Sequence, residues 1–337
     1  MVWSDKEMKE LILHIGGPKC ASSSIQKYCK DHLSDLVENT NGKKYSYFRI
    51  LKSDQELFAV NKKEDFPNAN SSQNLYQFKG NVKSIFDKIN DKTENDVSVV
   101  LSCEEWAFDL ITSNALFSEL KDLKFTIKIF FVVRPILSVL NSSWLQWGAF
   151  SGDSIEKWIE KKILQSPNQF DFFQQYERIS SLHNIREICI CDISQNPVKV
   201  FQDFLEMPIT PIQRENETTH IGLLYQIVRN QKIMGRTVHD SSIENFLNKQ
   251  LNLPKCQTPF FIPKKLVDLC QENHGKNMRN MVNLLNKFMK LDEEVERLHL
   301  GTSSIFSNQR RWESGPSIDE LLSLNDAWLM RTLKIRN

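Results

Sequence analysis

The sequence predicts an α/β fold, a three-layer sandwich with a central parallel sheet and helical additions, and three observations predict it. Four short apolar runs, Leu11 to Ile15, Val97 to Ser102, Thr126 to Val133 and Glu187 to Cys191, are rich in Ile, Val, Leu or Phe and lack clean polar alternation. Strands covered on both faces of a parallel sheet read this way. Helical patterns lie between and after the runs, the alternation that places helices on the faces of a parallel sheet. From Asn216 onward strand signals fade and helical patterns remain.

The elements follow in order. Leu11 to Ile15 is the first strand and ends in Gly16-Gly17. Ser22 to Val37 puts Ile25, Cys29, Leu33 and Leu36 on one side, with hydroxyl residues at its start where a helix takes them. The stretch from Asn39 to Asn95 is rich in Lys, Asn and Ser and reads as an irregular insertion on a substrate rim, with Tyr45 to Ile50 a strand candidate inside it. Val97 to Ser102 and Thr126 to Val133 are strands. Pro135 to Trp147 is a helix opening on a proline, which a first turn tolerates. Glu187 to Cys191 is the last strand, and Leu223 to Val228, Ile243 to Leu251 and Met278 to Val295 are helical. The expectation is one domain over 1–337, with 216–337 a helical extension of the same unit.

Composition excludes several functions. The 337 residues carry 43 Lys and Arg against 42 Asp and Glu, a net charge of +1, and no segment supplies a basic stripe. Nucleic acid, which is bound largely by neutralising phosphates, is not an expected partner. The longest strongly apolar stretch, Phe125 to Val133, is broken by Thr126 and Lys128 and falls far short of the roughly 20 residues that span a bilayer. Met1 to Glu10 has charges of both signs and no secretory pattern, so a cytoplasmic location is expected. Seven scattered cysteines, none in CxxC spacing, give neither a disulfide framework nor a metal site.

Chemistry concentrates after the first strand, in Gly16-Gly17-Pro18-Lys19-Cys20-Ala21-Ser22-Ser23-Ser24-Ile25-Gln26. A strand, a turn of small residues with one lysine and a helix start read either as an ordinary strand-to-helix turn or as an anion site, in which turn N–H groups and the helix N-terminus converge, hydroxyls add donors and Lys19 adds charge. The order differs from GxxxxGK[ST], because this lysine precedes the serines, and a magnesium-dependent kinase is correspondingly disfavoured.

Pro18 to Gln26 resembles the PKTGTTSLQ phosphosulfate loop of sulfotransferases that use 3′-phosphoadenylyl sulfate (PAPS). Lysine, hydroxyls and glutamine are in register, whereas Cys20 and Ala21 replace the commoner Thr and Gly. A positive φ at Ala21 would favour glycine. A second stretch is similar to the family's 3′-phosphate motif: Phe130 to Val133 leads into Arg134-Pro135, and Ser142 follows Arg134 by eight positions. An arginine leaving the sheet can bind phosphate oxygens bidentately, with a serine hydroxyl from the next helix. Asn141 to Gly148, with Trp144, Gln146 and Trp147, resembles a run in bacterial, carbohydrate-type members, and Glu187 to Ile193 and Arg214 to Thr218 are softer echoes.

The resemblance implies a P-loop-like version of the three-layer fold and sulfuryl transfer from PAPS to an acceptor hydroxyl or amine, with a carbohydrate or glycolipid as the expected acceptor and no metal. It implies that Lys19 stabilises the leaving phosphate and sulfuryl oxygens, that Pro18 to Ser24 (Pro18, Lys19, Cys20, Ala21, Ser22, Ser23 and Ser24) hold the 5′-phosphosulfate, and that Arg134 and Ser142 hold the 3′-phosphate. A base should take the acceptor's proton. Glu104 and Glu105 directly follow a strand, and carbohydrate-type members often use a glutamate; His14, inside the first strand, is the other candidate and also reads as a core histidine. Trp106, Trp144, Trp147 and Trp312 could stack on adenine or sit in the core. Arg310-Arg311-Trp312 could reach the 3′-phosphate or be a solvated charge pair. Rival readings are a non-catalytic nucleotide-binding scaffold of the same fold and a small-molecule kinase.

Overall fold

The computed structural model describes residues 9–17, 19–33, 37–52, 57–60, 86–87, 89–91, 93–94, 96–103, 125–165, 171–182, 185–211, 220–231, 242–251, 259–306, 310–311 and 314–336. The chain divides into two compact units. The first comprises Met1–Arg134, Asn168–Asn216 and Lys276–Val295, and the second Pro135–Pro167, Glu217–Gly275 and Glu296–Asn337.

The first unit is built on a six-stranded sheet of β1 (Lys9–Gly16), β2 (Val37–Glu38), β3 (Lys44–Tyr47), β6 (Val97–Cys103), β7 (Phe125–Val133) and β8 (Ile185–Asp192), ordered β2-β3-β6-β1-β7-β8. β3, β6, β1, β7 and β8 run parallel, and β2 pairs antiparallel with β3 at the edge. The four apolar runs are therefore four adjacent strands. β6 is buried along its whole length and β1 at all but one position, as strands flanked on both sides and covered on both faces must be. Among the described residues β8 pairs only with β7, and its outer half carries the exposed Arg186 and Glu187, charges that protect an edge from further pairing.

Successive side chains on a strand point to opposite faces, and Phe130 and Phe131 show what covers each. Phe130 meets Phe201 of α5 (Pro197–Phe204) at 4.9 Å between ring centroids, and Phe201 meets Tyr28 of α1 (Ser22–His32) at 6.2 Å. Phe131 meets Phe172 of α4 (Phe172–Ser180) at 6.2 Å, and Tyr176 of α4 meets Phe288, the last residue of α8 (Lys264–Phe288), at 6.5 Å. Helices thus lie on both faces of a central, mainly parallel sheet, the three-layer sandwich expected from the sequence.

An ionic ladder crosses the amino-terminal half of the sheet. Glu10 of β1 sits 3.3 Å from Lys128 of β7, which sits 3.0 Å from Glu187 of β8. The other Glu10 oxygen takes Lys43 and, at 3.1 Å, the Ser98 hydroxyl of β6. One set of partners reads across four strands, and a one-residue slip would turn each member to the opposite face.

Local departures from the sequence reading have plain causes. α1 stops at His32 because Leu33 leaves helical geometry, its N–H closing on the Cys29 carbonyl, and Val37 enters β2. The stretch from Asn39 to Asn95, read as irregular apart from a strand candidate at Tyr45 to Ile50, supplies β3 to the main sheet and a two-stranded sheet of β4 (Arg49–Lys52) and β5 (Leu57–Val60).

The second unit is helical: α2 (Ile136–Gln146), α3 (Ile155–Gln165), α6 (Ile221–Arg229), α7 (Ser242–Leu251), α8 up to Gly275, and α10 (Ile318–Arg336), which follows α9 (Glu293–Leu300). Asn141 of α2 ties this unit to an extended segment, donating to the Pro259 carbonyl at 3.0 Å and accepting the Phe261 N–H at 2.9 Å. Among the described residues no helix is long and apolar enough to cross a membrane.

Candidate functional site

The parallel register aligns the carboxyl ends of the central strands. Gly16 lies opposite Val132, Ile15 opposite Cys103, and Val133 opposite Asp192. Ligands of open parallel sheets bind outside such an edge. The strands are apolar to their last residues, and polarity begins where each one ends: the loop after Gly16, Arg134 after Val133, and Asp192 closing β8.

The loop from Gly17 to Ala21 takes an uncommon path. Lys19 has φ 66° and Ala21 φ 61°, ψ 15°, so two non-glycine residues sit in the left-handed region two positions apart. Left-handed residues in a short turn aim successive N–H groups toward one side, which forms an anion-binding concavity. Gly17 is required for another reason: a Cβ there would stand 2.5 Å from Cε1 and 2.7 Å from Cζ of Phe172. The Phe172 ring of α4 is thereby packed closely against the loop's first residue.

Ala21 is also the N-cap of α1. Its carbonyl accepts the N–H groups of Ser24 at 3.0 Å and Ile25 at 3.2 Å, but alanine offers no side-chain cap, and no acidic residue stands in the first turn. Asp171 caps α4 and Asn196 caps α5 through their side chains. The cap and first turn of α1 thus supply no negative side chain to its positive end. Ser22, at the first helical position, is 1% exposed, and its Oγ has no hydrogen-bond partner among the described residues. A buried hydroxyl left unmatched costs about 1–3 kcal/mol, a cost that an anion taking its proton would relieve. Ser24 is buried, while Ser23 and Lys19 are half-buried.

Arg134 belongs to the same place. Its Nη1 donates to the Lys19 carbonyl at 3.0 Å, so the guanidinium holds the loop at a left-handed residue. Burial pulls the Arg134 pKa down, and the nearby Cys20 and Asp192 oppose that pull. An arginine stays charged in proteins, which leaves a partly desolvated cation at the sheet edge. Asp192, fully buried, accepts the Ser194 N–H on Oδ1 at 2.8 Å.

His14 lies behind the loop, in the core. It is 0% exposed, its Nδ1 is 2.7 Å from Ser102 Oγ, and its ring lies between Phe130 at 5.9 Å and Phe201 at 6.2 Å. Burial lowers its pKa to about 3, so the imidazole is neutral at physiological pH. No bulk acceptor reaches a ring enclosed in this way.

Other sequence candidates fall elsewhere. Pro18, Glu104, Glu105, Trp106 and Trp312 lie outside the described residues. In the second unit Ser142 is half-buried on α2. Trp144 there is 2% exposed and meets Trp158 of α3 edge-on at 5.9 Å. A Cβ on Gly148 would fall 2.1 Å from the Trp144 ring and 2.9 Å from that of Trp158, so Gly148 has a packing reason, while Gln146 and Trp147 are half-buried. Arg310 bonds Glu320 at 2.8 Å and also the Gly315 carbonyl, while Arg311 is exposed. The sequence reading missed Asp192, whose only signal is a carboxylate closing an apolar strand. Among the described residues no group of three or more His, Cys, Asp or Glu could hold a metal ion.

No protein-family model matches the chain, and no curated protein matches it in sequence. Two solved structures are similar to it. A sulfotransferase from Alicyclobacillus acidocaldarius shares 10% identity at a TM-score of 0.37, over 70% of this chain and 99% of its own. The sulfotransferase domain from the curacin biosynthetic pathway shares 13% identity at 0.34, over 80% and 98%. No residue correspondence is taken from likenesses of this degree.

Proposed function

We propose that this chain is a sulfotransferase that takes the sulfuryl group from PAPS. The observation that carries the reading is the contact between Arg134 and the Lys19 carbonyl, which joins two sequence motifs 115 residues apart at one uncapped helix start. The features of that start suit a phosphosulfate: a left-handed turn, an orphaned buried Ser22 hydroxyl, no competing acid in the first turn, and two cations. In this reading Pro18 to Ser24 hold the 5′-phosphosulfate and Arg134 the 3′-phosphate, and a part for Ser142 rests on the sequence resemblance alone.

Transfer breaks the bond between sulfur and the bridging phosphate oxygen and forms one between sulfur and the acceptor oxygen or nitrogen. Lys19 stabilises charge gathering on the leaving phosphate, much as cations do in phosphoryl transfer. The acceptor's proton goes to a base, for which Glu104, or Glu105 beside it, is proposed on its place after β6. His14 is withdrawn from that role because it is enclosed. The acceptor proposed is a hydroxyl or amine of a carbohydrate or glycolipid, on the sequence resemblance alone, and the location proposed is cytoplasmic.

The test is transfer of labelled sulfate from PAPS to a panel of glycans, phenols and alcohols, with Lys19→Ala beside the wild type. Transfer that needs Lys19 and survives EDTA is expected. Tight binding of adenosine 3′,5′-bisphosphate without transfer to any acceptor would move the chain to the scaffold reading, and magnesium-dependent use of ATP to the kinase reading. Labelling of phenols but never glycans would remove the carbohydrate acceptor.

A further inference from the structure

We propose that Asn277 is a positioning residue for the loop after β1, acting through the start of α4: it fixes Asp171, against whose neighbour Phe172 the loop's Gly17 packs. The inference deepens the donor-site reading and rests on it for its consequence, though not for its geometry. Every link lies within the first unit. Asn277 of α8 donates through Nδ2 to Asp171 Oδ2, a hydrogen bond between residues 106 positions apart. The other carboxylate oxygen, Oδ1, accepts the Gln174 N–H at 2.9 Å and so caps α4. One residue on, the Phe172 ring stands where a Cβ on Gly17 would be 2.5 Å from it.

Asp171 is 4% exposed, and a carboxylate so enclosed is costly unless donors meet its oxygens. The helix cap serves one oxygen and Asn277 the other, which gives the start of α4 one place to sit. Tyr176, a turn further along α4, meets Phe288 at 6.5 Å, a second point at which α4 meets α8. Phe172 is buried, and its ring also meets Phe131 of β7 at 6.2 Å. The ring is thus set from two sides, by the sheet and by the capped start of its own helix. A close-packed interior transmits displacements of such a group. Release of Asp171 lets the ring shift, and with it Gly17 and the left-handed residues that follow, Lys19 and Ala21.

The competing role for Asn277 is to fasten α8 to α4 with no effect beyond them. Hydrogen exchange of the full-length chain separates the two. Asn277→Leu keeps the bulk of the side chain and removes the donor. In it the amides of residues 19–24 should exchange about fivefold faster or more, the lower end of measurable site-to-site coupling, while those of β1 and β7 keep wild-type rates. Asn277→Asp at pH 5 is the conservative rescue: two enclosed carboxyl groups in contact keep one proton between them, which restores a donor to Asp171, so the loop should exchange at the wild-type rate. In a Phe172→Leu background, Asn277→Leu should do nothing further to the loop, because the ring that carries the effect is already cut back.

Wild-type exchange in the loop of Asn277→Leu, the same loosening in Asn277→Asp at pH 5, or an equal effect of Asn277→Leu in both backgrounds would overturn the proposal. Should Asn277→Leu fail to fold, Asn277→Ala, which also lacks the donor, is read in its place, and Phe172→Leu alone should loosen the same amides; wild-type exchange in either would overturn it. Adenosine 3′,5′-bisphosphate binding is measured alongside and should weaken about fivefold or more in Asn277→Leu. If the loop responds as expected but that nucleotide does not bind the wild type, Asn277 keeps its role and the donor reading falls. If the wild type and Asn277→Leu bind it equally, the proposal falls and the donor reading stands.

Discussion

Arg134 Nη1 donates to the carbonyl of Lys19 at 3.0 Å, so the residue that follows β7 holds the turn that follows β1. The contact makes one side chain serve two purposes, shaping the loop and presenting charge. Arg134→Ala should weaken adenosine 3′,5′-bisphosphate binding by about 2–3 kcal/mol, the range for a lost charge-assisted contact. Arg134→Lys should recover only part of this, because an ammonium lacks the fork that can reach a carbonyl and an anion together. Calorimetric titration checks both, and unchanged affinity in the alanine variant would remove Arg134 from the site.

Ala21 at φ 61° predicts a stabilising substitution. An L-residue in this conformation costs about 1–2 kcal/mol, and glycine gives back part of that through unfolded-chain entropy. Ala21→Gly should therefore raise stability by about 0.5–1 kcal/mol in urea melts, and Ala21→Val should lower it. A destabilised glycine variant would contradict the left-handed cap.

Gly17→Ala should be costly. The added methyl falls 2.5 Å from the Phe172 ring, which is itself buried and set against Phe131. Overpacking of this kind costs about 1–3 kcal/mol. Phe172→Leu in the same chain should recover part of the loss, a compensation that paired thermal melts can read; equal loss with either residue at 172 would rule out the clash.

Glu10 predicts acid sensitivity. Burial pushes its pKa up, yet the hydrogen bond and charge of Lys43, together with Lys128, outweigh that and hold it below the ordinary value. A carboxylate depressed in the folded state contributes stability above its unfolded pKa of about 4.3 and loses it as pH falls through the folded value. The advantage of wild type over Glu10→Gln should be full at pH 7 and shrink below about pH 4. A difference independent of pH would argue against the ladder.

His14 acts over a separate window. Its folded pKa, lowered to about 3 by burial, lies below the unfolded value of about 6.5, so the unfolded chain binds the extra proton between them. Stability should fall as pH drops from 6.5 toward 3, and His14→Gln should flatten that slope. Denaturant midpoints across the window test it, and an identical slope in the variant would mean that His14 is not the proton acceptor.

Much of the framework was legible in the chain. The runs from Leu11, Val97, Thr126 and Glu187 announce buried parallel strands because both their faces are covered, and Lys19 with the serines before a helix allows either an anion loop or an ordinary strand-to-helix turn. The strand candidate from Tyr45 to Ile50 is divided between β3 and β4, a break its own pattern does not show, since a short strand takes its stability from pairing, as β3 does with β6. Trp144 could be read as an adenine platform or as core, and only its approach to Trp158 over Gly148 decides for packing.

The sequence by itself determined which residues are strands, which loop carries the cation and hydroxyls, and that Arg134 leaves a strand end. Only the tertiary structure decided that Lys19 and Ala21 are left-handed, that Arg134 clasps the Lys19 carbonyl, that His14 is enclosed, and that Asp192 is buried opposite Val133. The physical reason is range. Periodicity and turn chemistry act over a few residues, whereas strand order and register bring together groups more than a hundred positions apart, and burial then fixes how each one is charged.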